Sequence, residues 1–153
     1  MSQQIIEVLS ALLTPTVAVT TVLLTYRQYR IGRLMAKQAL YSKRLECYSA
    51  AASFASELVL NGRASAETNR QFRAAALEAP FLLGNDVVEL LQEILRRGTD
   101  MHVCESMISQ YPDNATGYNH TIRDHQQWLT MAESRLLKAF QPYLSLIKDG
   151  LLK

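Results

Sequence analysis

Apolar positions along the chain change their spacing at Tyr26. From Val8 to Thr25 no charged residue occurs, and with Ile5, Ile6, the single acid Glu7 and Tyr26 the stretch runs from Ile5 to Tyr26. As a helix rising about 1.5 Å per residue it reaches roughly 33 Å, enough to cross a bilayer core of about 30 Å. Beyond it, Leu34, Tyr41, Leu45, Tyr48, Ala52, Ala55 and Val59 recur at steps of three, four and seven, with Ala51, Phe54 and Leu58 widening the face. That period is helical, and Asn61-Gly62 is where the helix should stop. Ser65 as N-cap then opens a second helix that carries Phe72, Ala75, Ala76 and Ala79 and ends before Pro80. Asn85 as N-cap opens a third with Val87, Val88, Leu90, Leu91, Ile94 and Leu95; Gly98 is a candidate break, and the pattern fades near Ile108. Residues 109–119 hold Pro112, Asp113, Asn114 and Gly117 and read as a loop. Thr121 with Asp124 resembles a capping box for a last helix, which carries Trp128, Leu129, Ala132, Leu136, Ala139 and Phe140 until Pro142.

The expected fold is therefore all-α: an N-terminal transmembrane helix over residues 1–26, continuing into a cytoplasmic antiparallel bundle of about four helices over residues 27–153. Pro15 would break a soluble helix, whereas in a membrane helix the flanking Thr14 and Thr16 and neighbouring helices can satisfy the carbonyl it frees. Two other readings compete for the first stretch. A secretory signal would need basic residues ahead of the apolar run, which are absent, and Arg27, Arg30 and Arg33 occupy the place of a small-residue cleavage site. A core helix of a soluble all-helical protein is the other, given the five Thr among its Leu and Val residues.

Charge adds an orientation. The net charge is only +2, but the block from Arg27 to Arg44 holds six basic residues and no acid. Basic residues that follow a span keep that side in the cytoplasm, so the N-terminus is expected outside and the C-terminal domain inside. Two glycosylation tripeptides at Asn114 and Asn119 point the other way, and the charge rule outweighs them. Arg30, Arg33, Lys37 and Arg44 fall within an arc of about 60° on a helix. Arg27, Arg30, Arg33 and Lys37 are accordingly candidate contacts for lipid headgroups, at about 1 kcal/mol each beside an anionic leaflet. An acidic protein is the rival occupant; nucleic acid is not expected, because no aromatic residues interleave the stripe and no nucleic-acid fold signature accompanies it.

Within the apolar stretch Ala11, Thr14, Ala18, Thr21 and Thr25 recur at steps of three and four, a stripe of small residues that would let two copies approach closely. Membrane Thr can instead bond its own backbone. Lys43, Arg44 and Glu46 are candidate polar contacts for a protein partner.

Signatures of chemistry are missing. There is no phosphate-cradling glycine loop, dinucleotide fingerprint, zinc-protease helix motif or nucleophile elbow, so neither enzyme activity nor a cofactor is expected. Cys47 and Cys104 lack metal or redox spacing and read as buried reduced thiols. Asp100, His102 and Cys104 alternate on a helix and diverge, His120, Asp124 and His125 read as a solvated helix start, and Glu89, Glu93 and Arg97 as a surface ion-pair row.

The runs Leu40-Tyr41-Ser42-Lys43-Arg44-Leu45-Glu46-Cys47-Tyr48 and Phe81-Leu82-Leu83-Gly84-Asn85-Asp86-Val87 resemble the pattern of uncharacterised bacterial single-span membrane-anchored proteins, with Tyr41 in place of the usual Phe and Ser42 in place of an acid. The resemblance implies a bacterial inner-membrane location and a helical cytoplasmic domain, and it brings no activity with it. The expected function is a membrane-anchored, self-associating interaction or regulatory module that positions a protein partner at the inner membrane. The alternative is a bundle that senses a small molecule in a pocket among Tyr41, Tyr48, Trp128 and Phe140.

Overall fold

The structure, a computed structural model, describes the backbone of residues 2–145 and the side chains of residues 17–145. Four helices make it up: α1 (Ser2–Asn61), α2 (Ala66–Leu82), α3 (Asn85–Gln110) and α4 (Ala115–Leu144), with one 3-10 turn at Pro112–Asn114. No strand occurs among the described residues. The chain forms two compact units, residues 1–39 and residues 40–153. Among the described residues no helix is long and apolar enough to cross a membrane. Of the candidate span from Ile5 to Tyr26, residues 5–16 have side chains outside the described residues.

Short chemical instructions set the ends of the helices. Gly62 takes φ +76°, a conformation open to glycine, and its N–H donates to Leu58 O at 3.1 Å, ending α1 where expected. Ser65 caps α2 as expected, its hydroxyl accepting from Thr68 N at 3.1 Å. Glu57 on α1 fastens that cap, accepting from Ser65 N and from Thr68 Oγ1, each at 2.7 Å. The Ser65 bond above all holds the Glu57 carboxyl below its usual range.

Four boundaries differ from the sequence expectation. α2 passes through Pro80 to Leu82, since so near its end the ring removes a single donor and Leu83 N still closes onto Ala79 O at 2.9 Å. Gly84 rather than Asn85 precedes α3, and its carbonyl takes the first N–H groups, from Val87 and Val88. α4 starts at Ala115, because Pro112 sits in the first turn of a 3-10 segment that feeds directly into the helix. The Thr121 hydroxyl, read as a cap, donates back to Gly117 O at 3.2 Å as an ordinary intrahelical contact. Pro142 likewise lies inside α4.

In the second unit the core runs through all four helices. Cys47, Ala51, Phe54 and Leu58 of α1 meet Phe72 and Ala79 of α2, Val87, Leu91, Ile94 and Met101 of α3, and Leu129, Ala132, Leu136 and Phe140 of α4. On α1 the buried stripe departs in part from the expected seam: Ala55 is buried as expected, but Leu45 is exposed and Tyr48, Ala52 and Val59 are half-buried, while the flanking Ala51, Phe54 and Leu58 lie at the centre. The reason is Gly98. It does not break α3; it is buried where Phe54 and Leu58 press on its backbone, which draws that edge of α1 inward. Phe54 also stacks on Phe72, with ring centroids 4.5 Å apart. Each such buried large side chain contributes about 1.5–3 kcal/mol.

Candidate functional site

In the first unit the described side chains lie on a helix that keeps its apolar surface outward. Val17, Val22 and Leu24 are 56%, 68% and 59% exposed, and Val19, Leu23, Tyr26, Tyr29, Ile31 and Met35 are exposed as well. Thr hydroxyls on this segment turn inward to the backbone. Thr20 Oγ1 donates to Val17 O at 3.1 Å, Thr21 Oγ1 to Val17 O at 2.8 Å and Thr25 Oγ1 to Thr21 O at 2.8 Å. Such bonds give each hydroxyl a partner without water, so the surface presented is closer to that of an aliphatic helix than its composition suggests. Of the small-residue stripe, Ala18, Thr21 and Thr25 are exposed, and Ala11 and Thr14 lie outside the residues whose side chains are described.

Basic residues follow immediately. Arg27, Arg30 and Arg33 are exposed and Lys37 is half-buried. Tyr26, Tyr29, Arg30, Arg33, Leu34 and Lys37 line a shallow cleft of about 320 Å³. Aromatic rings beside cations, next to an apolar segment, are the composition that membrane interfaces favour.

The three candidate partner contacts divide. Lys43 and Glu46 pair at 3.1 Å on the surface, with Glu78 of α2 at 3.7 Å from Lys43, and the Lys43 ammonium is raised above its usual range by its hydrogen bond to Glu46. Both remain half or more exposed. Arg44 is committed inward: Nε donates to Leu82 O at 3.0 Å and Nη1 to Tyr143 O at 3.4 Å, with the guanidinium 5.4 Å from the Tyr143 ring centre. Tyr143 in turn accepts from Gly84 N at 3.1 Å through its hydroxyl. The clasp joins α1, α2, the start of α3 and the end of α4. Nothing in the spacing of Tyr143 singled it out.

Of the four aromatics named for a ligand pocket, Tyr41 is half-buried and the other three have ring contacts. Tyr48 packs edge-on against Phe140 at 5.4 Å, and Trp128 lies under the Arg97 guanidinium, 4.2 Å from ring centre to carbon. Between α1 and α2 a groove of about 330 Å³ is lined largely by small residues, with Lys43, Glu46 and Glu78 at its edge and Cys47 at its wall. Cys47 is buried; desolvation, then Glu78 and Glu46, push its thiol up to about 11. Cys104, read as buried, is half-buried, and it too is raised, by desolvation and Asp100. A thiol at about 11 carries roughly 100-fold less thiolate than one at 9 at neutral pH. In native protein a thiol reagent should therefore modify one cysteine quickly, Cys104, and the other only at the rate of unfolding. Two equally fast thiols would contradict the buried position of Cys47.

Glu93 is the best-held carboxylate. Hydrogen bonds from Arg96 at 2.7 Å and 2.9 Å and from Arg97 at 2.7 Å bring it down to about 2 against the cost of its own desolvation. Arg97 also reaches across to α4, where Nη1 lies 3.2 Å from His125 Nδ1. Since arginine can only donate, Nδ1 accepts and the imidazole is neutral. Burial, then Arg97, lower the His125 pKa, while Asp100 and Asp124 oppose them. A lowered folded value means the unfolded chain takes the proton first. The stability contributed by neutral His125 is thus complete above about pH 6.5, the ordinary histidine value, and is lost as pH falls below it. Melting between pH 7.5 and 5.5 should show this decline, and His125→Gln should flatten it; an unchanged slope in the variant would refute the assignment.

His120 pairs with Asp124 at 3.1 Å on the surface, and His102 lines a separate cleft beside Gly98. Among the described residues no cluster of His, Cys, Asp or Glu could hold a metal ion. Comparison of the chain with protein-family models, with curated proteins and with solved structures finds no match. Any functional reading therefore has to come from the surfaces of the chain itself.

Proposed function

We propose that the protein is a membrane-anchored helical interaction module, held by its N-terminal apolar helix, self-associating, and presenting its bundle to a protein partner at a bacterial inner membrane. One observation carries this reading: in residues 17–26 the apolar side chains are exposed and the Thr hydroxyls are bonded to their own backbone. Water is a poor solvent for such a surface and lipid a good one. The uncharged run from Val8 to Thr25 supplies the length, and the basic block from Arg27 supplies the retention signal for a cytoplasmic bundle. Arg27, Arg30, Arg33 and Lys37 then meet headgroups, and the Ala11–Thr25 stripe is available for helix pairing within the lipid. Of the candidate partner contacts, Lys43 and Glu46 stay accessible and Arg44 serves the fold. The resemblance to single-span bacterial proteins fits the same picture.

Carbonate washing of membranes from cells making the full chain tests it. Retention in the pellet, with release only by detergent, is the expected result. Recovery of the chain as a soluble species after the wash overturns the anchor.

A further inference from the structure

Where α1 ends, a cleft of about 280 Å³ opens between α1, α2 and α3, close to the lower end of the range of small-molecule pockets. Small residues make the room for it. Gly62, Ala64 and Ala66 around the α1–α2 turn and Gly98 on α3 bring no bulk, so the edges of the buried Phe54 and Leu58 form an apolar floor. The polar lining is one-sided. Asn69 and Arg73 share a face of α2 at a step of four, Arg63 stands on the turn, and Thr99 and His102 lie three apart on α3. The Asn69 carboxamide oxygen already takes Arg73 Nε at 3.0 Å, which leaves the amide nitrogen and the two outer nitrogens of Arg73 to donate. The Arg63 guanidinium has no hydrogen bond or ion pair with any described residue. No described carboxylate lines the cleft.

That imbalance selects an anion. Of the neighbouring acids, Glu57 is bonded to Ser65 and Thr68, Glu67 to Arg70 and Gln71, and Asp100 to Arg96. Glu105 stands behind Gly62, its Oε1 3.3 Å from the place a Gly62 Cβ would take. Two guanidinium charges against this one carboxylate leave a single positive charge to be met, which suits a monoanion better than a phosphate dianion. The floor asks for an apolar body attached to it. From the cleft, its donor lining and its uncompensated charge, we infer that this end of the bundle binds a small monocarboxylate with an aromatic or aliphatic body. Arg63 and Arg73 hold the carboxylate, and the body rests on Phe54 and Leu58. Every lining residue belongs to the second unit, so the inference does not depend on the anchor.

Full-length chain in a non-ionic detergent is titrated with para-fluorobenzoate and followed through the fluorine resonance of the probe. A saturable shift with a midpoint of about 1 mM or below is expected, and para-fluorobenzamide, the same body without the charge, should bind at least about tenfold more weakly. Arg63→Gln and Arg73→Gln should each raise the midpoint about fivefold or more, with melting unchanged because both side chains are exposed. Thr99→Phe fills the cleft without touching a charge and should abolish the shift. Arg123→Gln, exposed on α4 outside the cleft, should leave it as it is. Inorganic phosphate should displace the probe at least about fivefold more weakly than unlabelled benzoate does. Equal binding of acid and amide would make the cleft a merely apolar one and overturn the inference. Unchanged midpoints in both arginine variants would place the anion elsewhere, and phosphate displacing the probe better than benzoate would remove the monocarboxylate; either overturns it. So does the absence of a saturable shift up to about ten times the expected midpoint.

Discussion

Replacing Gly98 by valine lowers the stability of the bundle by about 3 kcal/mol, although valine is the better helix former. A Cβ at this position would lie 2.7 Å from Phe54 Cζ, 2.9 Å from Phe54 Cε1 and 2.9 Å from Leu58 Cδ1. Such distances require movement, and Phe54 has little freedom, being 3% exposed and stacked on Phe72. Even Gly98→Ala, which gains about 1 kcal/mol of helix propensity, should come out destabilising by about 1 kcal/mol, because overpacking costs about 1–3 kcal/mol. The valine branch adds bulk to the same contact. At about 4–8 °C per kcal/mol, the valine variant should melt more than 10 °C lower. A partner substitution isolates the cause: Phe54→Leu costs stability alone, but combined with Gly98→Ala it should restore part of the loss, a coupling readable in a double-mutant cycle of urea midpoints. Equal or higher stability of Gly98→Ala would show that α1 and α3 do not approach as closely as described.

Gly98 also shows where sequence reasoning reached and where it ran short. The helical periods of Phe72 to Ala79, Val87 to Leu95 and Trp128 to Phe140 were legible because each places large apolar residues on one stripe, and those stripes are buried. Ser65 and Gly62 were legible because cap and stop chemistry is local. A glycine inside a helical pattern has two physical meanings, a weak point or a close approach, and only the opposing surface decides between them. The surface that decides it here is Phe54, forty-four positions away. Pro112, Asn114 and Gly117 mislead for a related reason: turn formers on an exposed first helical turn cost little, so composition reads as loop what the backbone continues as helix. On the candidate surfaces, the exposure of Arg27, Arg30, Arg33, Lys43 and Glu46 followed from their place on α1. The role of Arg44 did not, because it depends on two carbonyls contributed from distant parts of the chain.

Arg44→Met should therefore destabilise the bundle by about 2–3 kcal/mol while keeping most of the apolar stem. The guanidinium serves Leu82 O at 3.0 Å and Tyr143 O at 3.4 Å, both at helix C-terminal ends where carbonyls lack intrahelical donors. Bonds from a charged donor contribute about 1.5–3 kcal/mol, and the electron-rich face of Tyr143 under the cation adds to them. Arg44→Lys should recover less than half, since a single ammonium cannot bridge two carbonyls in the fixed fork of arginine. Tyr143→Phe removes the acceptor for Gly84 N and should cost about 1 kcal/mol. Because the ring and the guanidinium share one clasp, the double variant should lose less than the two single losses added together. A different role for Arg44, as a contact for a protein partner, predicts the opposite pattern: unchanged melting, with loss confined to co-purification. Lys43→Ala and Glu46→Ala supply the contrast, since both side chains are solvent-exposed and a surface ion pair contributes little to folding. Stability that falls with Arg44→Met and holds with the other two places the fold-determining charge on the inward side of α1, with its outward charges dispensable for folding.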